Sequence, residues 1–228
     1  MSLQLLYLLK RRETFQRRFK NIGKMCQTKP NNGIKVKRLI FVLYILLDCS
    51  QQFFRLKNKM EKQEKDFTLV FCLRRTDETI FDAKNLNYEQ NSEVLLGMKK
   101  RGFGTGIVNG FGGKIEQGET NENAATRELE EESSIVSNKL NRVGFIKCFM
   151  QDMNMNISIY TCYDFSGEAK ESDEMKPFWV QTDKINYESM WEDDKLWLPL
   201  LLKGKKFIGR YEFDDDDATI IDSETTEQ

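Results

Sequence analysis

Residues 113–135 read GKIEQGETNENAATRELEEESSI, and this stretch decides the fold. Its first part belongs to a loop, because seven glycines lie between Arg101 and Gly118 and a regular helix or central strand does not tolerate so many. Its second part predicts a helix of about three turns that begins after Thr120, a favoured N-cap residue, and runs to Glu132. The stretch is therefore a shaped loop, of the kind that binds ligands, followed by a short acidic helix.

The predicted helix carries a cluster of like charges. Glu128, Glu131 and Glu132 are spaced at i, i+3 and i+4, so their side chains share an arc of roughly 100° on one face. Carboxylates placed in this way repel, and a hard cation such as Mg²⁺ or Mn²⁺ is the simplest compensation. Ala125 and Leu129 lie on the opposite side, where they can bury against a sheet. On composition alone, the alternative is an acidic helix face that is simply solvated.

Composition and charge exclude several kinds of chemistry. The chain of 228 residues has no histidine, which removes Ser-His-Asp and Cys-His catalysis and leaves acid–base work to carboxylates, lysine or metal-activated water. Its five cysteines form no CxxC pair, which indicates a reduced compartment rather than a zinc site. Of the 35 Lys and Arg residues, 16 lie in residues 1–65 against 4 of the 36 Asp and Glu residues, which leaves 19 basic against 32 acidic residues in 66–228. The length predicts one domain with an appendage, and we expect a monomer.

The basic N-terminal extension, residues 1–65, allows three interpretations. Residues 2–20 combine leucines with basic residues, as an amphipathic targeting segment does, and the protein would then be mitochondrial. Alternatively, residues 1–59 never fold, or Met60 marks the true start of a cytoplasmic or nuclear protein. The apolar run 39–47 is too short to span a bilayer, so we predict no transmembrane segment. Without interleaved aromatic residues, the basic charge predicts no stable nucleic-acid partner.

The domain at residues 66–228 alternates strand-like and helical patterns. Stretches rich in β-branched or aromatic residues predict strands at 67–73, 93–98, 143–149, 156–163, 177–181 and 207–213, with short ones at 79–81 and 219–221. A second helix is predicted at 197–203, and the last few polar residues are expected to fray. The order predicts an α/β fold in which a mixed β-sheet is sandwiched between helices.

The spacing of the fixed residues resembles the signature of the Nudix hydrolases. Gly113, five residues, Glu119, seven residues, Arg127-Glu128-Leu129, one residue and Glu131-Glu132 match it, and a chance match at so many positions is improbable. Glu119 and Arg127 are expected to pair and to fix the glycine loop on the helix. The one departure is Ser134, where the family has glycine; serine there should cost on the order of 1 kcal/mol or lengthen the helix slightly.

The resemblance implies a Nudix fold, roles for the motif residues, and a reaction. The metal ligands would be Glu128 and Glu132, with Glu131 as a further ligand or base and the Gly112 carbonyl as an additional contact. Gly113, Glu119 and Arg127 would be structural, and Glu174 would be an extra ligand or base, although it can equally be a solvated loop acid. With Mg²⁺ or Mn²⁺ as cofactor, a water activated by the metal would attack a phosphorus atom inside a diphosphate.

The resemblance extends over about 67–223 and is nearest to the MutT-like oxidised purine nucleoside triphosphatases of eukaryotes. It is carried by LLGMKKRGFG at 95–104, NGFGGK at 109–114, ESDEM at 171–175 and MWEDD at 190–194. It implies conversion of substrates such as 8-oxo-dGTP and 2-hydroxy-dATP to the monophosphate and pyrophosphate, which sanitises the nucleotide pool and avoids DNA damage. The implied substrate pocket comprises Thr68, Lys99, Asn109, Met155, Trp191, Asp193, Asp194 and Phe213, with Lys99 near the phosphates.

These pocket residues suit a purine. Trp191 can stack on the ring, Asn109 offers a donor and an acceptor, and two crowded carboxylates, Asp193 and Asp194, tend to keep one proton between them. Proton redistribution in that pair could then accommodate different oxidised bases. Without the resemblance, the aspartates would only start the helix preceding Pro199, and Trp191 would more often be a core residue.

Four residues depart from the subgroup's pocket. An arginine–tryptophan pair is replaced by Ile107 and Val108, and two aromatic positions are Cys148 and Met150. They suggest a wider pocket, so a broader nucleoside polyphosphate or dinucleotide polyphosphate hydrolase is the nearest alternative. A nucleotide- or RNA-binding module with little turnover is the alternative of a different class, and the intact carboxylates argue against it.

Overall fold

The structure, a computed structural model, describes residues 62–76 and 87–228. The proposed targeting segment, the apolar run 39–47 and the predicted strand 79–81 lie outside these residues. Within the described part of the chain, no helix is long and apolar enough to cross a membrane.

One mixed sheet organises the described domain. Its strands are β1 (Glu64–Arg75), β2 (Ser92–Lys99), β3 (Val108–Asn109), β4 (Val136–Phe149), β5 (Asn154–Ser166), β6 (Met175–Gln181), β7 (Phe207–Phe213) and β8 (Ile220–Glu227). They follow the order β3-β2-β1-β5-β4-β7-β8, and β6 also pairs with β2. The pairs β1–β5 and β4–β7 are parallel, and the other pairs are antiparallel. The predicted mixed sheet is confirmed.

Two helices cover opposite faces of this sheet. Helix α1 (Asn121–Ser133) packs on the cluster that contains Val70 and Cys72, and helix α2 (Asp194–Leu202) packs on the cluster that contains Phe71 and Leu73. Successive side chains of β1 point to opposite faces of the sheet, and a helix covers each face. The centre of this strand is therefore apolar at every position. The sandwich of a sheet between helices is therefore confirmed.

Several predicted boundaries were wrong, and the contacts explain three of them. Helix α2 begins at Asp194 rather than at 197, because Asp194 Oδ2 accepts the Trp191 N–H at 3.0 Å and closes the turn before the helix. Strand β4 begins at Val136 rather than at 143, since its polar first half is held by pairing with β5 through several register shifts. The C-terminal residues do not fray: β8 continues to Glu227 because it pairs with β7 along its length.

Candidate active site

Helix α1 carries the acidic motif, and its two ends fix its position. Thr120 caps the start, where its side chain accepts the Asn123 N–H at 3.2 Å. The helix ends at Ser133 because Ser134 adopts the left-handed conformation, with φ of 61°, and donates its N–H to the Glu130 carbonyl. Of the two outcomes expected for Ser134, the structure therefore has a strained helix end rather than a longer helix.

The predicted pair between Glu119 and Arg127 is confirmed. The guanidinium donates from Nε and Nη2 to the two carboxylate oxygens of Glu119, each at 3.0 Å. It also donates from Nη1 to Glu128 at 2.9 Å and to Glu131 at 3.1 Å. Sequence reasoning missed these last two contacts, which make Arg127 the common partner of three glutamates.

The three clustered glutamates occupy different environments. The side chain of Glu132 is 5% exposed, that of Glu128 is 16% exposed, and that of Glu131 is 60% exposed. Glu132 accepts the Gly112 N–H at 2.9 Å and the Lys99 ammonium at 2.8 Å. The shared helical face therefore runs from a buried carboxylate at the glycine loop to a solvated one.

A second carboxylate lies at the same ammonium group. Lys99 Nζ also contacts Glu174 at 3.1 Å, and Arg101 contacts the other oxygen of Glu174 at 3.0 Å. Glu174 lies just before β6, which pairs with the strand that carries Lys99. Two cations and two carboxylates thus meet at this point of the cavity.

Burial and these charges act in opposite directions on the carboxyl groups. Burial raises the pKa of Glu132, and the Lys99 hydrogen bond offsets this only in part. Burial also raises the pKa of Glu128 against the effect of Arg127. Hydrogen bonds from Lys99 and Arg101 lower the pKa of Glu174, which stays ionised at neutral pH. Additional positive charge close to Glu128 and Glu132 would therefore favour their ionised forms.

The donor set suits a hard divalent cation. Glu128, Glu132 and the neighbouring loop carbonyls offer only oxygen, and Mg²⁺ is commonly held by one or two carboxylates together with waters and substrate phosphates. In residues 62–76 and 87–228, no three acidic or cysteine side chains converge as a ready-made metal cluster. Glu132 is held in an ion pair by Lys99, and Glu128 is held in one by Arg127. The residues fit the group chemically, and binding would require those pairs to rearrange.

Two glycines let the loop approach the strand and the helix. A Cβ atom on Gly112 would collide with the backbone carbonyl of Thr68, and one on Gly113 would meet the carboxylate of Glu128. The loop is also hydrogen-bonded to β1, with the Thr68 N–H donating to the Gly113 carbonyl at 3.0 Å. Close approach, rather than an unusual backbone angle, explains why these positions are glycine.

One cavity of about 440 Å³ is lined both by the acidic residues Glu132 and Glu174, here called its acidic end, and by Trp191 and Phe103, here called its aromatic end. All eight residues predicted for the substrate pocket line it: Thr68, Lys99, Asn109, Met155, Trp191, Asp193, Asp194 and Phe213. Gly112, Gly113, Glu132 and Glu174 line it as well. Glu119, Arg127, Glu128 and Glu131 are not among the lining residues, and the roles assigned to all these residues remain predictions.

The two aspartates at the aromatic end are buried, and polar contacts fix both of them. Asp193 Oδ2 accepts the Trp197 Nε1–H at 3.0 Å, and Asp194 accepts the Trp191 N–H. Burial raises the pKa of Asp193 to about 6, and burial together with the charge of Asp193 raises the pKa of Asp194. The pair can therefore carry a proton near neutral pH and offer both a donor and an acceptor.

Sequence reasoning did not assign several lining residues to the cavity, among them Phe103, Arg101 and Trp197. Phe103 stacks on Trp191, with ring centroids 5.1 Å apart, and its position between two glycines of the loop was the available signal. Arg101 was noted only as the start of the glycine-rich segment and within the 95–104 stretch, and Trp197 only as a helix residue. Cys148 and Met150, which depart from the subgroup's aromatic pattern, also line the cavity.

Known proteins are similar to this chain in sequence and in fold. The NUDIX domain model matches residues 83–201, more than half of the chain. The oxidized purine nucleoside triphosphate hydrolase of Danio rerio is 48% identical over 133 residues, which are 58% of this chain and 85% of that protein. The enzyme of the same name from Mus musculus is 47% identical with the same coverage.

A solved structure gives the same result for the fold. The MutT mutator protein of Bacillus halodurans superimposes with a TM-score of 0.56 at 20% identity, over 71% of this chain and 97% of that one. The domain match, the relatives of nearly half-identical sequence and the motif on α1 agree, so the chain belongs to the NUDIX family.

Proposed function

We propose that the chain hydrolyses oxidised purine nucleoside triphosphates to the monophosphate and pyrophosphate, with Mg²⁺ or Mn²⁺ as cofactor. The observation that carries the proposal is the single cavity, which has the acidic group of Glu132 and Glu174 at one end and Trp191 with the aspartate pair at the other. The names of the zebrafish and mouse relatives support the same substrate class.

At the acidic end of the cavity, a bound polyphosphate would change the partners of the charged side chains. Bound Mg²⁺ would neutralise phosphate charge and activate the attacking water, with Glu128, Glu132 and the Gly112 carbonyl as its proposed oxygen donors. Lys99 would then transfer its hydrogen bonds from carboxylate to phosphate oxygens. Glu174 is ionised and lines the cavity, so it can accept a proton from water. Glu131 would have to leave Arg127 to act as a further ligand or base.

At the end of the cavity proposed to hold the base, two polar groups have hydrogen-bonding capacity that a purine could use. Asn109 Oδ1 already accepts the Gly110 N–H at 2.8 Å, which leaves the amide Nδ2 to donate to the base. Thr68 Oγ1 is buried and has no hydrogen-bond partner in the described residues, and a substrate hydroxyl or carbonyl would satisfy it. Together with the aspartate pair, these groups provide donors and acceptors that an oxidised purine can match.

A broader nucleoside polyphosphate or dinucleotide polyphosphate hydrolase is the second candidate. Cys148 and Met150 line the cavity, and Met is flexible while Cys is small. Such a lining discriminates less sharply between related bases than rigid aromatic walls would.

We also propose a monomer in a reducing, cytoplasmic compartment, with no stable nucleic-acid partner. The excess of acidic residues in 66–228 disfavours binding to a phosphate backbone. Light scattering on the eluting protein would give the mass of one chain, and a dimer mass would contradict the monomer.

The test is a substrate panel with the full chain. Normal and oxidised dNTPs and a dinucleotide polyphosphate are incubated with and without Mg²⁺, and the products are separated by chromatography. We expect metal-dependent release of pyrophosphate and a nucleoside monophosphate from the oxidised purines. Turnover of the dinucleotide alone would favour the second candidate, and no release from any nucleotide would contradict an enzyme.

A further inference from the structure

Two cysteines lie side by side in the centre of the sheet, away from the cavity. Cys72 of β1 and Cys162 of β5 are register partners on parallel strands. Both are completely buried, both are free thiols, and both belong to the apolar cluster under α1. Neither is among the residues that line the cavity. Nothing in the proposed hydrolysis uses this pair.

The geometry of neighbouring strands permits a bond between them. Adjacent strands lie about 4.7–4.9 Å apart, and disulfides span Cα separations of about 4.4–6.8 Å. Register partners direct their side chains to the same face of the sheet, so the two sulfur atoms can meet after a small movement of the Cβ atoms. A disulfide made in this way is somewhat strained, and strained disulfides are readily reduced again.

The two thiols are not equivalent. A hydrogen bond from Cys72 lowers the pKa of Cys162, and the same contact, with burial, raises the pKa of Cys72. Cys162 Sγ also lies 3.2 Å from Ser137 Oγ, on the stretch of β4 where the pairing with β5 shifts register. Ser137 is only half-buried and its neighbour Asn138 is exposed, so the residue that contacts Cys162 lies next to the surface. Cys162 is therefore the nucleophile and Cys72 the resolving thiol.

We propose that Cys72 and Cys162 form a peroxide-sensitive pair that closes a reversible disulfide between β1 and β5. The Cys162 thiolate attacks one oxygen of a hydroperoxide, the O–O bond breaks, and Cys162 becomes a sulfenic acid while the other oxygen leaves as water or alcohol. The Cys72 sulfur then attacks the Cys162 sulfur, and the sulfenic oxygen leaves as water with the Cys72 proton. Two thiols are oxidised by two electrons, and one peroxide is reduced.

Cys148 provides an internal control. It lies in the other apolar cluster, under α2, and burial raises its pKa, so it is a poor nucleophile. It has no cysteine as a register partner; the residues paired with it are Met155 and Tyr211. Peroxide should therefore leave Cys148 reduced under conditions that oxidise the pair.

The test is peptide mapping of the full chain. The native protein at low concentration is treated with hydrogen peroxide, its remaining thiols are alkylated in denaturant, and its peptides are identified by mass spectrometry. We expect a linked pair of peptides that contain Cys72 and Cys162, on a chain of monomer mobility, and loss of the link with dithiothreitol. The proposal is overturned if both thiols remain alkylatable, or if the link joins either of them to another cysteine instead.

Variants separate the two roles. Cys72→Ala should leave Cys162 as a sulfenic acid that a dimedone probe traps, whereas Cys162→Ala should leave Cys72 reduced and alkylatable. Cys148→Ser should form the same link as the wild type. Trapping at Cys72 rather than at Cys162 would overturn the assigned order, and the mapping of the wild type decides the main proposal even where a variant folds poorly.

Discussion

Glu132 is buried at the site and has two partners of different kinds, a backbone N–H and an ammonium group. The Gly112 N–H holds one carboxylate oxygen and the Lys99 ammonium holds the other. A neutral amide could keep the first contact, because its oxygen still accepts, but it cannot balance a cation. The effects of Glu132 on fold and on reaction can therefore be separated.

We predict that Glu132→Gln folds normally and loses at least about 100-fold in kcat, the range expected for a lost acid–base or metal-binding group. The measurement is pyrophosphate release with saturating Mg²⁺, alongside thermal unfolding. Glu130→Gln is the matched control, since Glu130 is exposed on the same helix. Wild-type kcat in the Glu132→Gln variant would remove this carboxylate from the reaction.

The adjacent glycines should respond differently to a single added methyl group. In Gly112→Ala the new Cβ meets the backbone of β1, which cannot move, so we expect a loss of at least about 2 kcal/mol in the free energy of unfolding. In Gly113→Ala it meets the flexible end of Glu128, so the fold should survive while activity falls roughly tenfold as the carboxylate is displaced. Urea unfolding and kcat measure the two effects. The idea fails if both variants lose stability equally.

The buried aspartates make stability depend on pH. Burial raises the pKa of Asp193 from 3.8 to about 6, so the folded state binds more protons than the unfolded state in this window. The stability that Asp193 contributes is therefore lost as the pH rises from about 4 through 6. In Asp193→Asn the amide oxygen still accepts the Trp197 N–H, and the free-energy cost of ionising a buried carboxyl group disappears. As the pH rises through this window, the melting temperature of the variant minus that of the wild type should therefore increase by roughly 5 °C.

The exposed Asp183→Asn is the control for that measurement, and its difference from the wild type should stay flat with pH. A flat difference for Asp193→Asn as well would mean that Asp193 is ionised in the folded protein as it is in water.

At the scale of the element, helix α1 is predictable from its own sequence to an unusual extent. Thr120 caps it, Ala125 and Leu129 bury against the sheet, and its acidic face meets the loop, all as the spacing indicates. The partners of Arg127 beyond Glu119 were not predictable, because their identity depends on the rotamers that packing selects. For the same reason, the spacing showed that three glutamates share a face but not that only one of them is buried.

The end of α1 yields a prediction of stability. Ser134 has φ of 61°, which costs a residue with a Cβ atom energy that glycine does not lose. We expect Ser134→Gly to raise the free energy of unfolding by about 0.5–1 kcal/mol and to leave activity unchanged. Ser134→Ala is the matched control and should bring no gain. An equal gain from alanine would show that the backbone angle is not the cause.

At the scale of the whole molecule, the fold assembles a site from segments that are far apart in sequence. Glu132 and Glu174 meet at Lys99, and Trp191 stacks on Phe103 of the glycine loop. Periodicity could predict the elements, but not which loops would face one another; only the resemblance placed the eight pocket residues in one group. The length of strand β8 was underestimated because its polar sequence does not predict a strand. Its pairing with β7 holds it in the sheet.

The central claim is that this cavity selects an oxidised purine for pyrophosphate release. The most direct test is the ratio of kcat/KM for 8-oxo-dGTP to that for dGTP, measured on the full chain with Mg²⁺. Because the aspartate pair and Asn109 should match the oxidised base by additional hydrogen bonds, we predict a ratio of at least about ten. Equal values for the two nucleotides would contradict the claim and leave a general nucleotide hydrolase.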